Sequence, residues 1–318
     1  MNIDMNVLDP LEKLTYALRT LYMGAGYARY RMGKFEEYDF YSRNKDFLIS
    51  DSMITFVDTN GRLMALKPDV TLAIVKNLRD DPEALQKLCY DENVYRVSRN
   101  TGSFMEILQT GLECIGRVDM ACVGEVLSLA AESLNVCSGE YVLEVSHLDI
   151  LEAFLNAITP DADFQTALLK PVSEKNLHGL AALCRENGTE AERCEPLCRL
   201  LGISGPWRET LPALEALCAP MGLEAELAGL RTALSVFGDA ADADRVILDF
   251  SAVSNMNYYN GVVFRGFLSS LPGSVLSGGQ YDKLMRRLHR RSGAVGFAVY
   301  LDEIRRLETG EGEVRNPC

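Results

Sequence analysis

Hydrophobic and polar positions change period several times along this chain, and each change marks an element. Leu11, Leu14, Leu18 and Leu21 fall at three- and four-residue steps, the spacing of one helical face. Asp9-Pro10-Leu11-Glu12 precedes them with a capping residue, a first-turn proline and a capping-box glutamate, so a helix is predicted to start there and to stop at Gly24. Tyr27 to Tyr41 is aromatic and charged without a period. Ile54 to Asp58 and Arg62 to Leu66 flank Thr59-Asn60-Gly61, which predicts a hairpin closed by a primed turn. Leu66-Lys67-Pro68-Asp69-Val70-Thr71 then leads into a helix with Asp69 and Thr71 at its start, where capping alone accounts for both residue types.

The stretch from Val94 to Gly116 carries the most information. An arginine-bearing segment turns at Asn100-Thr101-Gly102 and returns as a strand. With period two, Met105, Ile107, Gln109, Gly111, Glu113 and Ile115 share one face. Gly111 is read as an open floor between Gln109 and Glu113, an amide and a carboxylate suited to the ammonium end of a small amino acid. A solvated sheet face carrying one Gln and one Glu explains the same pattern, and from the strand alone both readings stay open.

Glu125 to Leu134 reads as a helix and Tyr141 to Val145 as a strand, with His147 just past it. A lone histidine there is more often a packed, hydrogen-bonded residue than a catalyst. From Asp149 to Ala243, Leu, Ala, Glu and Arg dominate, strand signals vanish, and Pro and Gly punctuate helices. Strands resume at Arg245 to Phe250, so residues 149–243 are expected to be a helical insertion into a domain made of residues 1–148 and 244–318. Asn257 to Phe264 is strand-favouring, with a bulge or turn signalled by Asn260-Gly261. Leu271-Pro272-Gly273 turns the chain, Ser277 to Asp282 enters a helix, Gly293 to Val299 reads as a last strand, and Asp302 to Leu307 closes with a helix. The Gly278-Gly279 pair lacks the downstream Gly-Lys-Ser/Thr of a phosphate loop. No cofactor motif remains.

Composition narrows the functions. The 318 residues carry 32 Lys plus Arg against 45 Asp plus Glu, a net charge of −13. Nucleic-acid binding needs clustered cations, so tRNA and DNA are not expected partners. Nine cysteines form no disulfide framework and fit reduced thiols. Cys194 and Cys198, with Cys184 upstream, leave a metal site open, although no CxxC pair exists and His178 is badly placed. Met1 to Val7 has no signal-peptide core, and no apolar run reaches the ~20 residues of a membrane helix. A cytoplasmic protein without membrane contact is expected.

Five ordered motifs give the chain a family likeness. Leu66-Lys-Pro-Asp-Val-Thr71, Tyr95-Arg96, Gln109-Thr-Gly-Leu-Glu113, Asn257-Tyr-Tyr-Asn-Gly-Val-Val-Phe264 and Gly278-Gly-Gln-Tyr-Asp282 resemble those of histidyl-tRNA synthetase in order and spacing, over about residues 8 to 308. The resemblance implies an α+β fold: a class II aminoacyl-tRNA synthetase-like core, with an antiparallel sheet, flanking helices and a helical insertion. It also implies a dimer formed near Gly26 to Glu36. Asp69, Thr71, Arg96, Gln109, Glu113, Tyr259 and Tyr281 match positions that surround bound histidine in that family.

The departures from the family pattern are as informative. Tyr300-Leu301-Asp302-Glu303 stands where the synthetases close with Gly-Leu-Glu-Arg, so an acid replaces the arginine that clamps ATP. Reversing that charge is expected to abolish adenylate chemistry. Ser254-Asn-Met-Asn-Tyr-Tyr259 replaces Arg-Gly-Leu-Asp-Tyr-Tyr, Met105 stands for a motif 2 arginine, and Gly33 stands for the motif 1 proline. With the sequence ending at Cys318, no anticodon-binding domain is expected. With a histidine-like pocket and no catalytic arginines, it resembles the synthetase-like regulatory subunits of ATP phosphoribosyltransferase, in the first step of histidine biosynthesis. That likeness implies a non-catalytic protein, a homodimer within a hetero-octamer, a short catalytic chain as partner and histidine as effector. Arg96 keeps a truncated ligase, forming an aminoacyl adenylate for a non-tRNA acceptor, as the alternative. A stand-alone amino-acid sensor is a third.

Overall fold

A computed structural model describes residues 7–45, 48, 53–98, 101–238, 241–253, 256 and 258–309. Several positions read above therefore lie outside the described residues: Asn100 of the turn, Ser254, Asn255 and Asn257 of the divergent segment, and the tail from residue 310.

The chain opens with α1 (Pro10–Gly24). Asp9 accepts from the Glu12 amide at 2.7 Å while Glu12 accepts from the Asp9 amide at 3.0 Å, the reciprocal cap predicted from sequence. The aperiodic stretch that follows becomes β1 (Ala28–Arg29), β2 (Phe35–Glu37) and α2 (Tyr38–Arg43). The hairpin forms as β3 (Thr55–Val57) and β4 (Leu63–Leu66), but its turn is not of the primed kind. The Gly61 amide donates to the Asp58 carbonyl at 3.1 Å and Gly61 alone in the turn has a positive φ, +81°. A four-residue turn followed by a left-handed glycine closes a three-residue loop, so Asn60 needs no left-handed backbone.

Next come α3 (Val70–Asn77), β5 (Leu85–Val97) and β6 (Phe104–Gly116). β5 starts nine residues before the stretch read from the sequence and pairs with β6 along its length, Leu85 opposite Gly116 and Val97 opposite Phe104. α4 (Met120–Cys137) and β7 (Tyr141–His147) follow. α5 (Leu148–Ile158), α6 (Ala162–Ser173), α7 (Leu177–Glu186) and α8 (Ala191–Leu201) lead to β8 (Ser204–Pro206), α9 (Trp207–Cys218) and α10 (Glu224–Leu234). The chain then returns through β9 (Val246–Asp249), β10 (Asn260–Leu268), β11 (Ser274–Gln280), α11 (Asp282–Arg287), β12 (Gly293–Tyr300) and α12 (Leu301–Thr309).

Among the described residues, nine strands make the main sheet, in the order β1-β5-β6-β12-β11-β10-β7-β9-β8, and β2-β4-β3 make a small second sheet. The centre of the main sheet is antiparallel; β1 with β5 and β7 with β9 are parallel. The second parallel pair has a plain cause. Parallel neighbours need a long crossover, and the block from α5 to α10 is that crossover. It is not free of strand either, because β8 pairs with β9 at the sheet edge. Three residues with a glycine and a proline carry no strand signal, and an edge is where a proline fits.

The two sheet faces bury different sets of side chains. One face packs against α4, through residues such as Leu112, Phe264, Leu276 and Phe297. α4 is 18 residues long and apolar enough to cross a membrane by length and composition, contrary to the sequence expectation. Its buried side packs on α1, α10 and the sheet, which accounts for that composition. The other face carries α3, α11 and a tyrosine-rich cluster including Tyr90, Tyr258 and Tyr281.

Cys184 and Cys194 are joined in a disulfide between α7 and α8, so neither remains a thiol or a ligand as the sequence allowed. No group of three or more His, Cys, Asp or Glu among the described residues could hold a metal.

Candidate functional site

A cavity of about 330 Å³ opens on the tyrosine-rich face of the main sheet. All seven residues singled out by resemblance line it: Asp69, Thr71, Arg96, Gln109, Glu113, Tyr259 and Tyr281. They come from α3, β5, β6, the segment before β10 and the entry to α11, and the sheet register brings them together.

Glu113 is the centre of the arrangement. It is buried, 1 % exposed, with the Thr71 hydroxyl donating to one carboxyl oxygen at 2.6 Å and the Tyr281 phenol donating to the other at 2.6 Å. Burial pushes its pKa up to about 8, outweighing the two hydroxyl hydrogen bonds that favour the charged form; the Asp69 charge adds to the rise. Asp69 does cap α3, accepting from the Leu72 amide at 2.7 Å, and it also faces the cavity. Burial raises its pKa, opposed by that amide and by the Arg96 charge. Two carboxyls thus share one desolvated pole of the cavity, where a ligand supplying positive charge or N–H donors neutralises both.

The floor is made of small residues. Gly111 on β6 lies between Ala298 of β12 and Tyr90 of β5, and Gly296 of β12 lies opposite Glu113. A side-chain carbon on Gly296 would sit 1.9 Å from a Glu113 carboxyl oxygen, so the acid folds over that glycine. The opening inferred at Gly111 is not open. A Cβ there would meet the Phe297 carbonyl at 2.1 Å and the Tyr90 hydroxyl at 2.7 Å. The Tyr90 ring takes the space that the missing side chain leaves. Period two correctly placed Gln109, Gly111 and Glu113 on one face but could not show what crosses it from β5.

An aromatic wall completes this pole. The rings of Tyr258 and Tyr259 have centroids 4.5 Å apart, and those of Tyr258 and Tyr281 are 5.9 Å apart. Arg96 is buried, and its Nε donates to the Pro68 carbonyl at 3.3 Å. The lining also includes Arg265, Ser277 and, opposite Gln109, Tyr300, none of which the sequence marked as a site residue. The Ser277 and Tyr300 hydroxyls are 2.6 Å apart. A charged residue on the same strand face as Val263 and Phe267, inside an apolar strand, was the available signal for Arg265.

The two acids of the closing motif stay out of the cavity lining. Asp302 instead accepts from the Leu108 amide at 2.6 Å, tying α12 to β6. His147 is buried at the start of α5, with Nδ1 unpaired; burial lowers its basicity. It packs as expected without the expected partner at Nδ1, and it does not line the cavity.

The histidyl-tRNA synthetase family model matches residues 7–304. An ATP phosphoribosyltransferase regulatory subunit from Clostridium kluyveri is 29% identical over 301 residues, covering 92% of this chain and 76% of that protein. Among solved structures, an ATP phosphoribosyltransferase regulatory subunit/histidyl-tRNA synthetase from Bacillus halodurans superposes with a TM-score of 0.80 at 25% identity, over 98% of this chain and 82% of its own. A chain of the ATP phosphoribosyl transferase (HisG:HisZ) complex from Thermotoga maritima has a TM-score of 0.72 at 19% identity, over 92% and 97% of the two chains; that likeness bears on the fold.

Proposed function

The chain belongs to the histidyl-tRNA synthetase family, and from that premise we propose that it is a non-catalytic regulatory subunit of ATP phosphoribosyltransferase. It activates a short catalytic chain by contact and carries histidine's feedback signal to it. One observation supports this reading above the others: the amino-acid end of the site is kept and folded into one cavity, while Glu303 stands in the closing motif in place of an arginine. The name of the Clostridium kluyveri relative points the same way.

In this reading Asp69, Thr71, Arg96, Gln109, Glu113, Tyr259 and Tyr281 surround histidine. The acids and the Gln109 amide meet its nitrogen donors, and the tyrosines flank its ring. Arg96 screens Asp69 rather than holding ATP. Residues 149–243 form an insertion that bridges β7 to β9. The active assembly is a homodimer of this chain within a hetero-octamer, cytoplasmic, with no tRNA bound. Histidine must favour the less active state of that assembly by its differential affinity, a coupling of about 1–3 kcal/mol.

The test mixes the purified chain with a short-form transferase from the same source and follows phosphoribosyl-ATP formation from ATP and phosphoribosyl pyrophosphate. Activation that histidine reverses is expected. No activation, together with amino-acid-dependent pyrophosphate exchange by this chain alone, would replace the regulatory reading with the ligase.

A further inference from the structure

The cavity has an acidic pole and, across its floor, a cation that nothing so far employs. Glu113 and Gln109 stand on β6 and Arg265 on β10, with β12 and β11 between them. Those two strands present Gly296, Ala298, Ser277 and, opposite Gln109, Tyr300 to the cavity. Neighbouring strands lie about 4.8 Å apart, so β6 and β10 are separated by roughly 14 Å. Side chains from both strands line the same cavity of about 330 Å³, over a floor that includes Gly296, Ala298 and Ser277.

The two arginines of the lining are differently engaged. Arg96 donates through Nε to the Pro68 carbonyl and its charge faces Asp69. Arg265 has one carboxylate partner, and its guanidinium lies 5.6 Å from the centroid of the Phe267 ring. Its Nη2 donates to Glu144 on β7 at 2.9 Å, in register with it, while its Nε–H is buried and has no acceptor. A buried donor without a partner costs free energy until an acceptor arrives, and a guanidinium edge matches a carboxylate in geometry as well as charge. Ser277, the β11 partner of Arg265, adds a hydroxyl beside it.

We propose that Arg265 is the carboxylate anchor of the amino-acid ligand, oriented by Glu144, with the ligand's nitrogen donors at the Asp69–Glu113 pole. The proposal rests on reading the cavity as an amino-acid site and adds which residue holds the acid end. A free α-carboxylate becomes a requirement of the site, so peptidyl, decarboxylated and reduced forms of the ligand are excluded.

The experiment titrates the full chain calorimetrically with histidine and with histidinol, in which an alcohol replaces the carboxylate. Wild-type protein is expected to prefer histidine by about tenfold or more. Arg265→Gln should weaken histidine by about that factor and leave histidinol within about twofold, which erases the preference and shows through histidinol that the pocket is intact. If the substituted chain fails to fold, the wild-type ratio still decides: equal binding of the two ligands means no carboxylate anchor exists. Binding with a preference that survives Arg265→Gln also overturns the assignment. If neither ligand binds wild-type protein, the amino-acid reading of the cavity falls, and the anchor with it.

Discussion

The Tyr281 phenol donates to Glu113 at 2.6 Å, and both side chains are 1 % exposed. The bond joins the entry of α11 to the middle of the sheet, so it serves the fold and the site together. Tyr281→Phe leaves a buried carboxyl short of a donor, at a cost of about 1–3 kcal/mol. Chemical denaturation should register that loss. The carboxyl also becomes harder to ionise, so histidine affinity measured by calorimetry should fall about tenfold. A variant with wild-type affinity would separate Glu113 from ligand binding.

Glu113 also sets a pH dependence. Its pKa is near 4.5 when solvated and about 8 in the folded chain, chiefly through burial. Between those values the unfolded chain has released the proton and the folded chain holds it. The folded state binds more protons, so this group's contribution to stability falls as pH rises through the window. Glu113→Gln removes the effect. Relative to wild type, the variant should gain stability from about pH 5 to about pH 8, at up to about 1.4 kcal/mol per pH unit. Urea unfolding at the two ends of that range measures the change, and parallel curves would place the Glu113 pKa in its ordinary range.

Gly111 is fixed by what lies over it. A methyl there would come within 2.1 Å of the Phe297 carbonyl and 2.7 Å of the Tyr90 hydroxyl. The first is backbone of the paired strand and cannot swing away. Gly111→Ala should therefore cost about 3 kcal/mol, read as a lowered denaturation midpoint. Tyr90→Phe alongside it relieves only the hydroxyl contact, so the double substitution should recover a small part of the loss.

That glycine marks where the sequence was readable and where it was not. Local chemistry was legible: the Asp9 cap, the start of α3 at Asp69, and the common face of Gln109, Gly111 and Glu113 all depend on neighbours within a few residues. The ordered motifs carried the family fold, and with it Tyr259 and Tyr281, which no local pattern would have joined to β6. Contacts set by register across distant strands were not legible. Tyr90 over Gly111 needs the β5–β6 pairing, and Arg265 needs β10 to lie three strands from β6. The turn at Gly61 was missed for a different reason. Asn-Gly signals a hairpin equally well in a two-residue and a three-residue loop, and the strand ends decide which forms.

Glu113→Ala joins the site to regulation. If histidine acts through this cavity, removing the carboxyl deletes the acceptor for Thr71 and Tyr281 and one acid of the ligand pole. The substitution lies on the buried cavity face of the sheet, so the complex with the short catalytic chain should still co-elute in size-exclusion chromatography. The histidine concentration for half-inhibition should rise about tenfold or more, since a ligand shifts an equilibrium only by its differential affinity for the two states. Direct binding must weaken by a similar factor in the same variant, because linkage ties the effector's affinity to its effect. Inhibition that stays at wild-type concentrations while binding to the isolated subunit is lost would mean that histidine regulates from another surface of the assembly.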